Sequence, residues 1–585
     1  MMRHWQTAAG FLAVLAMGTC LQAGETGTLT GKVVDGSGSP MRGVMVSALD
    51  GDLDMSTTVL TDDKGKFVLD GLTPKMYDLR ARLLGFEDSF LDAVDVAAGD
   101  GNKALSLSLE AAEDIHLQRH GASLFSELEF DTEEERLSFK MSCTYCHQIG
   151  TAGFRTPEEP VDWQVLITKM DGYGALLPSL KEKIVKQLVD TYTDDALEKW
   201  AEYTPPEPPA GKTLALRTVE WDMGRKDLCM IHDLEPGPDG LIYVVDMIND
   251  GLQTLDPKTG ERLTYSIPGG KDPESKDLTR LGPHSLEPDS NGNMWVTLAI
   301  GGKMGMFDVK TKEWTVVSGA PDPAPRGAYP HTLRVDQNDV VWYTDAGRGV
   351  LSLDPNDGNK RVFYPLPKKD QAIGRGVGES RGRTPYGIDV APNGDIWYTK
   401  LNGHRVGRIR PGSGEVVKGV AKNADIVEWV PPFHGPRRLH VAADGMVWVP
   451  GCGSGVFAKF DPEKQEWTVY DLPDKDTQFP YALNIHPQTG DVWICGTCND
   501  SMYRFIPSTE ELIEYPMPSR VTYTREVEFT DDGSIWVCNS NWPNRHTERR
   551  RGSIIKITLD GTVDEQQVAT STSTPTKRVI PAAGD

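Results

Sequence analysis

No run of apolar residues in this chain of 585 residues is long enough to cross a bilayer as a helix, which takes about eighteen or more. Basic residues are scarce as well. Lys and Arg number 61 against 85 Asp and Glu, a formal net charge of −24, which argues against a nucleic-acid partner. A dinucleotide fingerprint is missing too: the Gly/Arg-rich stretch IGRGVGESRGRTPYG, residues 373–387, sits in no strand–turn–helix context. Cysteine is sparse, eight in all, which rules out a small disulfide-stapled scaffold.

Two of those cysteines carry a signature. In KMSCTYCHQIGTAG, residues 140–153, Cys143 and Cys146 stand three positions apart with His147 directly after. Two thiols at that spacing can add to the two vinyl groups of one porphyrin while the imidazole meets the iron. C-x-x-C-H therefore reads as the attachment site of one covalent haem c, with His147 as proximal ligand; the plainer reading is a redox or disulfide pair that precedes a His. The N-terminus agrees with the first reading. Arg3, the apolar run Phe11–Met17 and the small-residue site ending at Ala23 describe a secretory signal peptide over 1–23. The expected compartment is the periplasm, with no membrane span.

Residues 24–110 alternate apolar and polar positions between Gly/Ser/Pro and DDKG turns, the pattern of a small β-sandwich. The run G-x-V-x-D-x-x-G-x-P, then T-D-x-x-G-x-F and P-x-x-Y-x-L, resembles the carboxypeptidase regulatory-like domain, which implies an accessory module without chemistry. Residues 111–203 change to helical spacing on both sides of the Cys143–His147 motif. DWQVLITKMDGYG resembles small single-haem cytochromes c with W-x-x-x-I-x-x-M before a Gly-containing turn. That resemblance implies Met170 as the second axial ligand; the alternative is a core methionine. TPPEPPAGK, 204–212, is a Pro-rich linker.

Residues 213–567 repeat. Seven times a turn leads into an aromatic-led strand, at Tyr243, Trp295, Trp342, Trp397, Trp448, Trp493 and Trp536, spaced about 43 to 55 residues apart. Four strands fit that period, so the fold class is mainly β: a seven-bladed β-propeller, preceded by the sandwich and the small helical cytochrome c-like domain. The last repeat lacks a fourth strand, and LALRTVEWD at the start of the array supplies one. The tail, 568–585, is rich in Ser, Thr and Pro and reads as disordered.

Each aromatic-led strand follows a short motif: IHDLEP, PHSLEP, PHTLRV, PYGIDV, PRRLHV, PYALNI, TREVEF. One register of these motifs holds His232, His284, His331, Tyr386, Arg437, Tyr481 and Arg525. One residue per blade at one register forms a ring about the central channel. Three His, two Tyr and two Arg there make a candidate catalytic or binding site for an anion or small substrate, and the imidazoles could hold an additional metal ion.

The recurring P-H/Y-x-L/I, D/N-G-x-x-W and F/L-D-P elements resemble the virginiamycin B (streptogramin) lyases. The resemblance implies a magnesium-dependent carbon–oxygen lyase with metal-binding glutamates after the aromatic-led strand. This chain has Asp246, Leu298, Asp345, Lys400, Gly451, Gly496 and Asn539 at that register, so the carboxylates are not reproduced. Cys229, Cys452, Cys495, Cys498 and Cys538 are expected as disulfides in an oxidising compartment, with a thiolate metal site as the alternative. Arg375, Arg381 and Arg383 read as a solvated loop or as a clamp for an anion.

The sequence thus points to a periplasmic haem c protein that transfers electrons. Its propeller binds a small-molecule substrate or a redox partner protein, and whether it is an enzyme is open. The alternatives are a lyase and a non-catalytic propeller docking module carrying a cytochrome c.

Overall fold

The computed structural model describes residues 25–584 except 53, 156–158, 173–180, 225–228, 272–278, 321–327, 347, 368–384, 541–547, 549–551 and 560–572. The signal peptide, the Gly172–Gly174 turn beyond its first residue and the three arginines of 373–387 lie outside the described residues. Among those described, no helix is long and apolar enough to cross a membrane.

The first unit is a sandwich. Gly27–Asp35 pairs with Lys66–Leu72 on one side and Leu105–Leu109 on the other, and the facing sheet runs Met55–Leu60, Met45–Asp50, Met76–Arg82, Ser89–Asp95. Alternate residues, among them Leu29, Val33, Val46, Phe67, Leu69 and Leu79, interdigitate in its core, as two half-buried sheets must.

The second unit is helical: Glu133–Cys143, Pro160–Gly172 and Lys181–Tyr192, with short turns at Gly121–Phe125 and Asp194–Leu197. Thr132 caps the first of these by accepting from the Glu135 N–H, and three Glu fill its first turn against the helix dipole. That cap breaks the 123–143 segment into two pieces. The Pro-rich linker is packed, not free. Pro209 runs so close to Gly43, itself at φ +70°, that a Cβ there would lie 2.6 Å from the Pro209 carbonyl oxygen.

The third unit is a ring of seven sheets. Its innermost strands are Ile231–Pro236, Pro283–Pro288, Pro330–Val335, Pro385–Val390, His440–Val441, Leu483–Ile485 and Thr524–Phe529. Each neighbours the next, and the seventh meets the first: a seven-bladed propeller. Leu216–Asp222 completes blade seven by pairing with Ser553–Leu559, so the two ends of the repeat array close the ring. The same strand also pairs with Met55–Leu60 of the sandwich, which makes blade seven and one sandwich sheet continuous. Arg80 and Arg82 of the sandwich reinforce this joint through Glu548, at 2.5 and 2.6 Å.

Two expectations are corrected. The tail is structured over 573–584: Lys577–Pro581 pairs with the outer strand of blade five, Glu466–Asp471, and Ala583–Gly584 with the outer strand of blade four. Its low hydrophobicity hides its use, since it gains its stability by satisfying two exposed sheet edges. No disulfide forms among the described residues, which include Cys143, Cys146, Cys229, Cys452, Cys495, Cys498 and Cys538. The propeller cysteines are buried and several make structural contacts. The Cys538 thiol donates to the His232 carbonyl at 3.0 Å, and the Gly552 N–H donates to the Cys229 sulfur at 2.9 Å.

Candidate functional site

The same local irregularity places the ring residues in five blades. Strand pairing slips at Ile231–Leu234, Pro283–Leu286, Pro330–Leu333, Pro385–Ile388 and Thr524–Val527. Strict alternation would send consecutive side chains to opposite faces, towards opposite neighbouring blades; the bulge turns the chain and re-aims two of them. Both members of the pair His232-Asp233 and of Arg525-Glu526 then reach groups around the axis.

A hydroxyl clamp holds this geometry from blade to blade. Thr297 donates to the His331 carbonyl at 2.8 Å, Thr344 to that of Tyr386 at 2.9 Å, and Thr399 to that of Arg437 at 2.6 Å. Cys538 takes the equivalent place against His232. Each clamp satisfies a carbonyl of the innermost strand segment, and leaving one unmade would cost about 1–3 kcal/mol.

All seven predicted ring residues converge, in blade order. His232 and His284 stack with centroids 3.6 Å apart, His284 and His331 at 4.0 Å, His331 and Tyr386 at 4.2 Å. The Tyr386 and Tyr481 hydroxyls meet at 2.5 Å. Arg437 lies on the Tyr481 ring, 3.3 Å from its centroid, and Arg525 donates to the Tyr481 hydroxyl at 3.1 Å. All are buried. The side chains fill the axis by stacking on one another.

Sequence reading missed the neighbouring register. Arg438 reaches from blade five to both Asp233 of blade one, 2.9 Å, and Glu526 of blade seven, 2.5 Å. Three residues further along each strand is a second, more open ring: Glu235, Glu287, Arg334, Asp389, His440, Asn484 and Glu528. Arg334 lies 3.6 Å from Asp389 and 3.9 Å from Glu287. The signal was visible in the seven motifs, as the charged residue fifth in IHDLEP and PHSLEP.

Burial sets the electrostatics. It pushes His232, His284 and His331 well below the ordinary imidazole range, and the guanidinium of Arg438 pushes all three further the same way; the three imidazoles are neutral. Burial raises both tyrosines. For Tyr386 it prevails, whereas at Tyr481 the guanidiniums of Arg437, Arg525 and Arg438 outweigh it and hold the phenol below its ordinary value. Among the acids of the second ring, burial lifts Glu287 to about 8.

The Cys143–His147 segment lies directly on this ring. The Glu133–Cys143 helix ends at the first cysteine, and the chain then turns across the propeller axis. Three consecutive carbonyls are taken by propeller donors: Thr144 by the Tyr523 hydroxyl at 2.5 Å, Tyr145 by Arg437 at 3.3 Å, and Cys146 by Arg525 at 2.9 Å. The Tyr145 ring meets Tyr386 edge-on at 6.1 Å. Gln148 donates to Asp500 and to the Thr522 carbonyl, 2.8 and 2.6 Å. Nearby, Lys140 packs over Phe479 and donates to the Asp476 carbonyl at 3.1 Å. Its burial brings the ammonium down to about 7.

His147 donates from Nδ1 to the Gln148 carbonyl at 2.6 Å and stacks on Phe154 at 4.4 Å. The donated proton fixes the tautomer that leaves the lone pair on Nε2. Met170 is half-buried near the end of the Pro160–Gly172 helix. That helix buries Trp163 and Ile167 while Val161 and Val165 are exposed.

At the register where the lyase resemblance implies glutamates, the side chains are structural. Asp246, Asp345 and Asn539 each accept a backbone N–H two residues before a ring residue, from Met230, Tyr329 and Tyr523 at 3.1, 2.9 and 2.8 Å. Lys400 is paired with Glu428 at 2.8 Å, both buried.

Residues 28–110 match the carboxypeptidase regulatory-like domain family. A virginiamycin B lyase of Nocardia farcinica (strain IFM 10152) is 26% identical over 235 residues, which cover 35% of this chain and 75% of that protein. The crystal structure of selenomethionine-substituted virginiamycin B lyase from Staphylococcus aureus aligns with a TM-score of 0.47 at 17% identity, over 59% of this chain and 99% of that one. A streptogramin B lyase structure aligns with a TM-score of 0.46 at 16% identity, over 59% and 98%.

Proposed function

We propose that this chain is an exported, periplasmic electron-transfer protein whose Cys143–His147 segment carries one covalent haem c, held at a fixed place over the propeller axis. The observation that carries this reading is the seating of the motif. Three successive carbonyls within C-x-x-C-H are engaged by Tyr523, Arg437 and Arg525, two of them ring residues. A motif of no consequence would not need three buried propeller donors to position it.

The donor set fits the group. Cys143 and Cys146 are partly buried and in no disulfide. His147 is held in the ligating tautomer by Gln148 and in plane by Phe154. Met170 offers a thioether, which as second axial ligand favours a high reduction potential. When bound, the haem supplies one-electron chemistry. The chain's residues supply orientation: Arg525 and Arg437 fix the loop, Tyr145 packs it on Tyr386, and the small-molecule or protein redox partner is met outside the ring.

The test is production with cytochrome c maturation followed by a reduced-minus-oxidised spectrum. Covalent haem with an α-band, lost in Cys143→Ala/Cys146→Ala, supports the reading.

A second reading, carbon–oxygen lyase chemistry at the ring, is supported by the similarity to the Nocardia lyase. Two features weigh against it: the structural use of Asp246, Asp345 and Asn539, and the loop seated on the ring. Magnesium-dependent opening of a streptogramin B by the purified protein, abolished by His284→Ala, would favour this second reading.

A further inference from the structure

We propose that His232, Asp233 and His284 form a binding site for a divalent transition metal of the zinc type, deep in the propeller axis and separate from the haem motif. Each residue offers one ligand atom, and the three atoms lie within 4.8 Å of one another. Zinc bonds of about 2.0–2.1 Å in tetrahedral geometry call for closer donors. Binding therefore requires the imidazole and carboxylate groups to rotate towards one another.

The second observation is His284. It is only 3% exposed, and its Nδ1 has no hydrogen-bond partner. A buried imidazole nitrogen without a partner is unfavourable, and this ring stands between His232 and His331, whose rings are 3.6 and 4.0 Å away. A metal ion removes that deficit. The His232 Nδ1 lies 2.9 Å from the Asp233 carboxylate, so these two donor groups are already side by side.

Charge permits a cation here, although arginines are near. Asp233 and Glu526 share the one guanidinium of Arg438, which leaves one negative charge beside the imidazoles. Arg437 and Arg525 direct hydrogen bonds to the Tyr145 and Cys146 carbonyls, although the charge of Arg525 still bears on His232. Two imidazoles and one carboxylate match zinc's preferred N/O donors.

The site is independent of haem, so the two claims fail separately. Tag-free protein, dialysed against chelator, is titrated with Zn(II) in competition with a chromophoric chelator; bound zinc and iron are counted by mass spectrometry, and Co(II) reports ligand geometry optically. One zinc per chain is expected whatever the iron content. His284→Ala and Asp233→Asn should weaken binding more than ~100-fold, beyond the 10–100-fold cost of losing a group that only orients a ligand. Glu235→Gln, at the other register, should leave it unchanged. His284→Asn, matched in thermal unfolding to the metal-free parent, separates lost ligation from lost fold. No stoichiometric zinc, or zinc retained in a folded His284→Asn, overturns the proposal.

Discussion

Arg525 of blade seven donates from Nη2 to the main-chain carbonyl of Cys146 at 2.9 Å and from Nη1 to the Tyr481 hydroxyl at 3.1 Å. One buried guanidinium thus ties the second cysteine of the C-x-x-C-H motif to the propeller's central ring. Arg437 repeats the arrangement for Tyr145 and Tyr386. The helical unit and the propeller therefore share one set of buried polar groups.

Arg525→Ala leaves a carbonyl and a phenol without their donor in a buried place. The expected destabilisation is about 2 kcal/mol, within the range for stranded buried partners, and it should be larger when Arg437→Ala is added. Denaturant unfolding of the intact protein measures it. Limited proteolysis should show earlier cleavage within 111–203, because Arg525 anchors that segment through the Cys146 carbonyl.

The inter-blade clamp is tested at Thr399, whose hydroxyl donates to the Arg437 carbonyl and accepts from the Gly387 N–H at 2.9 Å. Thr399→Val keeps the shape and removes both bonds. A stability loss of about 1–3 kcal/mol is expected, whereas Cys538→Ser, which keeps a donor for the His232 carbonyl, should be nearly neutral.

The sandwich–propeller joint should loosen in acid. Burial alone would raise the Glu548 carboxyl, but hydrogen bonds and charge from Arg82, with the charge of Arg80, more than offset it and hold it at about 2. The folded value lies below the ordinary 4.5, so the stabilisation is present in full above pH 4.5. It is lost as pH falls from there to about 2. Glu548 is an exposed residue, so solvent screening discounts the stabilisation to about 1–2 kcal/mol. Wild type should lose stability over that window, and Glu548→Gln, already without the charge, should show a flatter profile in pH-dependent unfolding.

Much of this was legible in the sequence, for physical reasons. A propeller repeats one supersecondary unit, so Trp295, Trp397 and Trp536 mark equivalent strands and His232 through Arg525 mark one register. The missing fourth strand of blade seven could be assigned to 216–222 because a ring leaves no other edge to fill. What escaped was whatever depends on broken periodicity or on distance in the chain. Asp233 and Glu526 reach the axis only through a bulge that strict alternation forbids, and Arg438 reaches them from the far side of the ring. The strand Lys577–Pro581 is stabilised by an edge formed about a hundred residues earlier, and composition carries no trace of it. Nothing in residues 140–153 announces that Arg525 will hold them.

Met170→Ala addresses the second axial position. If the thioether ligates, the variant's reduced α-band and its reduction potential should both change, the potential downwards, since thioether ligation raises it. A spectrum and a potential unchanged from wild type would reduce Met170 to a packing residue of the Pro160–Gly172 helix.

The most direct test of the central claim is the haem content of the protein made in a cell competent for cytochrome c maturation. After denaturation and extraction, the account predicts one haem still attached per chain by pyridine haemochrome, and none in Cys143→Ala/Cys146→Ala. A folded wild-type protein without covalent haem would contradict it.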